Sequence, residues 1–163
     1  MSNKKNITKI VDQTVNGIVL TDDSELQFVA DANSVWALHF DLFTSADDVV
    51  SANDRIQMAV KAPASATAIA RCMVVINDGT NTVTAPIQGP LVPASQGTPG
   101  SPWSWGAPGA SVNPAFAWVR IQVNVTMGAD PGPIGLQFAE YTSASATGAV
   151  VYAGSSLRAQ QQL

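Results

Sequence analysis

Large apolar side chains recur at every second position within residues 34–43. They are Trp36, Leu38, Phe40 and Leu42, and Ala37, His39 and Asp41 lie between them. Successive side chains of an extended strand point to opposite faces, whereas a helix would spread these four residues around its circumference. The segment therefore predicts a β-strand with one buried face.

Similar alternation recurs along the chain, in segments separated by turn-forming residues. These segments are residues 55–61, 67–76, 80–87, 115–127, 134–141 and 149–157. Asn16-Gly17, Asp22-Asp23 and Asp78-Gly79 suit tight turns, and residues 45–54 carry capping chemistry for a loop or a single helical turn. Roughly eight strands joined by hairpin turns predict an all-β fold, an antiparallel β-sandwich, for which a jelly roll is the favoured arrangement.

A chain of 163 residues can bury one well-packed core, so we expect a single domain. Residues 1–15 are predicted to form an N-terminal arm that becomes a strand only against a partner. Residues 16–163 are predicted to form the β-sandwich domain, with a loop insertion at residues 89–114.

The insertion at residues 89–114 is rich in proline, glycine, serine and alanine. Each proline removes a backbone donor and each glycine adds conformational entropy to be lost, so we expect a long loop without ladder hydrogen bonds. Trp103 and Trp105 flank Ser104 inside it. Three interpretations of the two indoles remain open: packing on the protein's own core, contact with another subunit, or stacking on sugar rings.

Charge excludes some functional classes. The formal net charge is −4 and only 12% of the residues are charged. Nucleic-acid affinity comes from clustered lysines and arginines, which this chain lacks, so we expect no nucleic-acid partner. No apolar run approaches the roughly 20 residues needed to cross a bilayer, and the N-terminus has no signal-peptide pattern, so we expect no membrane association and synthesis in a cytoplasm.

Candidate catalytic and metal-binding groups are few. Cys72 is the only cysteine and is expected to be buried on a strand, which rules out an intrachain disulfide. Asp22-Asp23 and Asp47-Asp48 lack the spacing of calcium loops and are interpreted as turn formers. His39 and Asp41 share one side of a strand, but no nucleophile motif accompanies them. We expect no enzyme activity, no metal and no cofactor, with His39 as a surface or interface residue.

Two segments resemble virion proteins of tailed bacteriophages: LTDDSELQFVADANSVWALHFDLF at residues 20–43 and GSSLRAQ at residues 154–160. The first is similar to their acidic turn-and-strand that leads into a strand with an aromatic start, and the second to their closing strand. The similarity continues through IQMAVKAPASATA at residues 56–68 and through residues 134–160. The insertion at residues 89–114 has no counterpart in this pattern.

The resemblance implies a non-enzymatic virion structural protein, made in a bacterial host cytoplasm and located on the capsid surface. The first hypothesis is a head decoration or cement protein, a homotrimer whose partner is the major capsid protein of a tailed phage and which stabilises the shell. The alternative is a minor tail or fibre component, a host- or glycan-binding adhesion module using the loop with Trp103 and Trp105. The expected contacts in the arm are Asn3, Lys4, Lys5, Ile7, Ile10 and Val11.

Overall fold

The computed structural model describes residues 3–45, 55–77, 82–87, 103–106, 116–140 and 148–162. Within these residues the chain forms β-strands and no helix. The strands are Lys4–Thr8 (β1), Gln13–Val15 (β2), Thr21–Ala30 (β3), Val35–Ser45 (β4), Arg55–Lys61 (β5), Thr67–Asn77 (β6), Thr82–Ile87 (β7), Trp103–Gly106 (β8), Phe116–Thr126 (β9), Gly132–Glu140 (β10), Ala149–Val151 (β11) and Ser156–Gln162 (β12).

The strands form two sheets in which every pairing is antiparallel. The larger sheet has the order β1-β12-β4-β9-β6-β7, with β11 paired to β4 and β2 paired to β11. The smaller sheet has the order β3-β10-β5-β8. The predicted all-β antiparallel fold is confirmed.

The strand order is that of a two-stranded ribbon wrapped over a core. β1 and β2 pair with β12 and β11 in the larger sheet, and after both segments cross to the smaller sheet β3 pairs with β10. In the same way β4 pairs with β9 in the larger sheet, and β5 pairs with β8 in the smaller one. This connectivity is the predicted jelly roll, and the β6–β7 hairpin extends its larger sheet beside β9.

One hydrophobic core lies between the sheets. The larger sheet contributes Trp36, Leu38, Phe40, Leu42, Val119 and Ile121, and the smaller sheet contributes Leu26, Met58, Ile134, Leu136 and Phe138. All are buried, and burying each of the larger side chains stabilises the fold by about 1.5–3 kcal/mol. The inward positions predicted for residues 36–42 and 119–127 are confirmed.

The predicted turn at Asp22-Asp23 is wrong, because both residues lie inside β3. The register against β10 shifts there: Gln27 pairs with Gly135, but Asp22 pairs with Gln137, so the residues between form a bulge. Asp23 Oδ1 accepts the amide hydrogens of the second and third residues after it, at 2.9 and 2.8 Å. The aspartate thus bends a strand instead of reversing the chain.

The paired strands near the two ends of the chain are interrupted at positions that face each other. Residues 149–157, predicted as one strand, are broken between β11 and β12 by a turn that contains Gly154 at φ 89°. Opposite this turn, Lys9 lies in the gap between β1 and β2. Its amide donates to the carbonyl of Ser155 at 2.8 Å, and its carbonyl accepts the amide of Gly154 at 2.9 Å. The segment between β1 and β2 and the turn between β11 and β12 are therefore hydrogen-bonded to each other.

Two expectations for the less regular segments are wrong. Residues 4–8 and 13–15 of the predicted arm pair with the chain's own C-terminal strands, so no partner is needed to make them strands. The insertion at residues 89–114 was expected to contain no ladder, yet Trp103–Gly106 pairs with β5 along four residues. The predicted turns at residues 46–54 and at Asp78-Gly79 lie outside the described residues. Cys72 lies on β6, as predicted.

Candidate functional site

The outer face of the larger sheet carries three adjacent rows of mainly polar side chains, formed by strands whose other faces fill the core. Each row crosses β1, β12, β4 and β9 in register, and its members are exposed or half-buried. The rows are Lys4–Gln160–Ala37–Asn124, Asn6–Arg158–His39–Gln122 and Thr8–Ser156–Asp41–Arg120. We refer to these twelve residues, with Phe43 and Trp118 beyond the third row, as the outer face.

The outer face is cationic although the chain is acidic. It contains Lys4, Arg120 and Arg158, and Asp41 is the one acid among its residues, whereas the whole chain has a formal net charge of −4. An uneven charge distribution of this kind orients a protein toward a partner of opposite sign.

Asp41 links Arg120, which is in its own row, to Arg158, which is in the middle row. Arg120 Nε donates to Asp41 Oδ1 at 2.6 Å, and Arg158 Nη2 donates to Asp41 Oδ2 at 2.5 Å. Partial burial by itself raises the pKa of the Asp41 carboxyl, but the two arginine hydrogen bonds and charges outweigh it and hold that pKa below its ordinary value. Asp41 is therefore ionised at neutral pH and fixes both guanidinium groups on the face.

A shallow depression of about 270 Å³ opens between β1, β12 and β4. Its lining residues are Lys4, Asn6, Ala37, His39, Arg158, Ala159 and Gln160. Ala37 contributes a small side chain to the lining, and none of the lining residues is acidic. The depression is thus bordered by hydrogen-bond donors and cations, which suits an anionic group.

An aromatic pair lies next to the polar rows. Phe43 on β4 is opposite Trp118 on β9, and Phe43 is 48% exposed. The guanidinium carbon of Arg120 lies 4.7 Å from the centroid of the Trp118 ring, a cation–π distance. Aromatic side chains and arginines are the residues most enriched among energetic hot spots of protein interfaces.

His39 and Asp41 do not form a catalytic pair. Both lie on the outer face, as the alternation predicted, but both carboxylate oxygens of Asp41 are bound by arginines. A histidine acting as a base requires a partner that orients its imidazole. His39 is therefore an exposed residue at the edge of the depression, in agreement with its interpretation as a surface residue.

The six expected contact residues of the arm have different environments. Lys4 borders the depression, and Lys5 is exposed on the opposite side of β1. The side-chain Nδ2 of Asn3 donates to Gln161 Oε1 at 3.0 Å, and Ile7 packs against the core. The last two, Ile10 and Val11, are 78% and 62% exposed. The arm residues thus do not form one surface.

Trp103 and Trp105, which were expected in a long loop without ladder hydrogen bonds, lie on strand β8. Trp105 is paired with Ile56, and Trp103 with Met58, on the outermost strand of the smaller sheet. This places them on the other sheet from the outer face.

A buried ionic cluster holds the segment between β1 and β2 in place. It was not identified in the sequence analysis. Lys9 and Asp23 have fully buried side chains, with Lys9 Nζ 3.0 Å from Asp23 Oδ2 and 3.4 Å from Glu25 Oε2. The Glu25 carboxylate also accepts the amides of Ile10 and Val11, and these bonds hold the pKa of Glu25 below its ordinary value. The cluster ties the first strands of the larger sheet to β3 of the smaller sheet.

A second polar cluster lies within the smaller sheet. Asp22 accepts hydrogen bonds from Lys61 on β5 and from Gln137 on β10, the latter at 2.7 Å. Burial raises the pKa of Asp22, but these donors and the Lys61 charge bring it below its ordinary value. Asp22 and Asp23, interpreted as turn formers, lie instead within β3 and bind lysines from other segments of the chain.

The described part of the chain offers neither a cluster of metal-ligating side chains nor a membrane-spanning helix. It contains no group of three or more histidine, cysteine, aspartate or glutamate residues that could hold a metal ion. It also contains no helix long and apolar enough to span a membrane.

No family model and no curated protein matches the chain. Solved structures with weak similarity come from infectious bursal disease virus. The Gt strain structure is 11% identical with a TM-score of 0.23, and the match covers 99% of this chain and 38% of the viral one. The VP2 subviral particle is 10% identical with a TM-score of 0.20, covering 99% and 38%. This chain thus spans about two fifths of those viral chains, and at such TM-scores the similarity supports no inference about it.

Proposed function

We propose that this chain is a non-enzymatic structural protein of a tailed-bacteriophage virion, a capsid decoration or cement protein that binds the outer surface of the head. The carrying observation is the resemblance of residues 20–43 and 154–160 to virion proteins. These two segments are far apart in sequence but hydrogen-bonded in space, since Leu157 pairs with Phe40 and Arg158 with His39. The resemblance therefore covers two neighbouring strands of the larger sheet, β4 and β12, together with β3 of the smaller sheet.

The surface composition supports a protein covered partly by neighbours. Charged residues make up 12% of the chain, against about a quarter in typical soluble proteins. Several large apolar side chains are exposed, among them Val19 at 76% and Val29 at 72%. A surface poor in charge with scattered apolar residues suits contact with other subunits.

A non-enzymatic role is supported by the environment of the polar groups. Asp41 is saturated by two arginines, and Asp23 is buried against Lys9. Basic side chains therefore already occupy both carboxylates. The described residues present no acid paired with His39.

The proposed mechanism is thermodynamic and requires no cofactor. A protein that binds only the assembled, expanded lattice stabilises that lattice by mass action, by about 2.7 kcal/mol at a concentration one hundred times the Kd. Copies associated as a homotrimer at points of local symmetry would contact adjacent subunits of the major capsid protein together. Their weak individual contacts would then add through multivalency.

Binding of the purified protein to phage heads tests this proposal. Expanded, emptied heads of the encoding phage, prepared without this protein, are titrated with the purified chain, and bound copies are counted by mass. We expect saturable binding at a fixed number of copies per capsomer and a higher temperature of shell disruption. Absence of binding to heads would contradict the proposal, and binding to tails or host cells instead would favour the minor tail or fibre function.

A further inference from the structure

We propose that the outer face of the larger sheet is the docking surface of this protein, and that its occupant is a carboxylate-bearing surface of another protein. A partner carboxylate would enter the depression between Lys4, His39 and Arg158, and an apolar group would cover Phe43 and Trp118. The identity of the partner as the capsid protein rests on the proposed function, whereas the chemistry of the surface does not.

The size of the sheet suits a protein partner. The outer face spans four adjacent strands, β1, β12, β4 and β9, and β4 and β9 are 11 residues long. At ordinary strand spacing and rise, this is about 14 Å between the outer strand axes and about 36 Å along the longest strands. A stable protein interface buries about 800 Å² on each partner, so the outer face would provide a substantial part of one.

Free donors define the chemistry of the depression. The side chains of Lys4, Asn6, His39 and Gln160 form no hydrogen bond or ion pair with any other described residue. Arg158 uses Nη2 for Asp41 and keeps further N–H groups, with its side chain 58% exposed. A carboxylate placed here would meet several donors and no competing acid among the lining residues.

The pairing with Asp41 prepares Arg158 for binding. A guanidinium held by one carboxylate has already lost much of its rotamer freedom, so less entropy is lost when a second anion binds. Arg120 is held from two sides, by Asp41 at 2.6 Å and by the Trp118 ring at 4.7 Å. Both arginines of the face are thus preorganised, which is how exposed charges contribute to specificity.

The same contacts favour a protein over a sugar or a nucleic acid. A sugar platform needs an open aromatic ring face, but one face of Trp118 is occupied by Arg120. A nucleic acid needs continuous positive charge, but Asp41 lies among the cations and the chain as a whole is acidic. A protein surface with separate acidic and apolar groups matches both parts of the face.

Two neighbouring lysines provide a matched pair of variants. Lys4 and Lys5 are exposed and adjacent on β1, but Lys4 lies in the row of Ala37 on the outer face, whereas Lys5 lies in the row of buried Leu38. Lys4→Glu and Lys5→Glu change the net charge equally. A non-specific electrostatic effect would therefore weaken both variants alike.

The first experiment measures binding of both variants to the phage heads, after thermal unfolding has shown that both are folded. We expect Lys4→Glu to weaken binding about tenfold or more and Lys5→Glu to change it less than about twofold. Equal losses, or none, with wild-type protein still bound would overturn the docking face and leave the proposed function intact. Failure of the wild-type protein to bind would instead count against the function.

The second experiment needs no heads. Hexaglutamate is added to the ¹⁵N-labelled protein, with hexaglutamine and glucuronic acid as separate probes, and amide shifts are recorded. We expect shifts at residues 4, 6, 39 and 158 with hexaglutamate only, reduced by Lys4→Glu and kept in Lys5→Glu. Shifts elsewhere, no shifts, or the same shifts with glucuronic acid alone would overturn the inference of a protein carboxylate.

Discussion

Lys9 with Asp23, and Asp41 with its two arginines, are the same chemical interaction in opposite settings. The first pair has fully buried side chains joined at 3.0 Å. In the second group the side chains of Arg120, Asp41 and Arg158 are 36%, 16% and 58% exposed, with contacts of 2.6 and 2.5 Å. Similar geometry therefore does not imply a similar role, because solvent decides what each contact is worth.

Burial makes the first pair structural. A buried charge that loses its partner keeps its full desolvation cost, whereas an exposed one is rehydrated. Asp23 is also the acceptor for the amides of Glu25 and Leu26. The second group stabilises the fold little, but its exposed arginines keep donors for a partner, so it serves binding.

The largest expected effect is that of Lys9→Met. Removing the ammonium leaves Asp23 buried without its counter-charge, and such changes cost about 3–5 kcal/mol. Urea unfolding monitored by tryptophan fluorescence measures the loss. Lys5→Met, an exposed change on the same segment, is the control and should lie within about 0.5 kcal/mol of wild type.

A double variant separates charge from packing at this site. Lys9→Met combined with Asp23→Asn removes both charges, and we expect it to recover part of the stability lost by Lys9→Met alone. An additive loss, or an undiminished midpoint for Lys9→Met, would show that the buried pair does not hold the first strands in place.

Asp41→Asn should lower stability less than Lys9→Met does, and it should strengthen the binding of an anion to the outer face. The exposed ion pairs contribute about 1 kcal/mol or less, so the urea midpoint should fall only slightly. Removing the acid releases the two arginines but also makes the outer face more positive. For a flexible polyanion we expect the added charge to outweigh the lost preorganisation, so hexaglutamate should bind more tightly than it binds wild type. Weaker binding would indicate that fixing the arginines matters more than the added charge.

The lowered pKa of Asp41 predicts how the stability difference between wild type and Asp41→Asn depends on pH. A carboxyl with a lowered folded-state pKa stabilises the protein above its unfolded value, near pH 4, and loses that contribution as the pH falls through the folded value. The stability gap between wild type and Asp41→Asn should therefore be present at pH 7 and shrink toward pH 3. Urea midpoints at both pH values test this, and a constant gap would contradict the ion-pair account.

The smallest effect on stability is expected for Lys4→Gln. Its side chain is exposed and makes no described contact, so the unfolding free energy should stay within about 0.5 kcal/mol of wild type. Binding to heads should weaken nonetheless. A stability loss as large as that of Lys9→Met would remove the distinction between the two clusters.

Periodicity predicted the fold class, because alternation directly reports which side chains face a core. It placed Trp36 and Phe40 inside, and His39 and Asp41 outside, as the structure has them. It could not predict that Arg158 is beside His39, since alternation gives faces and not neighbours. The outer face is assembled by register between distant strands and was therefore not visible in the sequence.

The remaining differences arise where tertiary contacts override local chemistry. Asp22 and Asp23 have turn propensity, but lysines from distant segments hold them within a strand. Proline and glycine around residues 103–106 argued against pairing, yet these four residues find a partner in β5. A lysine beside an exposed isoleucine, as at Lys9, carries no local signal that it will be buried.

The most direct test of the docking account is a cryo-electron microscopy reconstruction of heads saturated with the protein. The account predicts that the outer face, with Lys4, Arg158 and Phe43, lies against the capsid protein and that acidic side chains of the shell meet the depression. Bound copies that turn the outer face to solvent and contact the shell through the smaller sheet would contradict it.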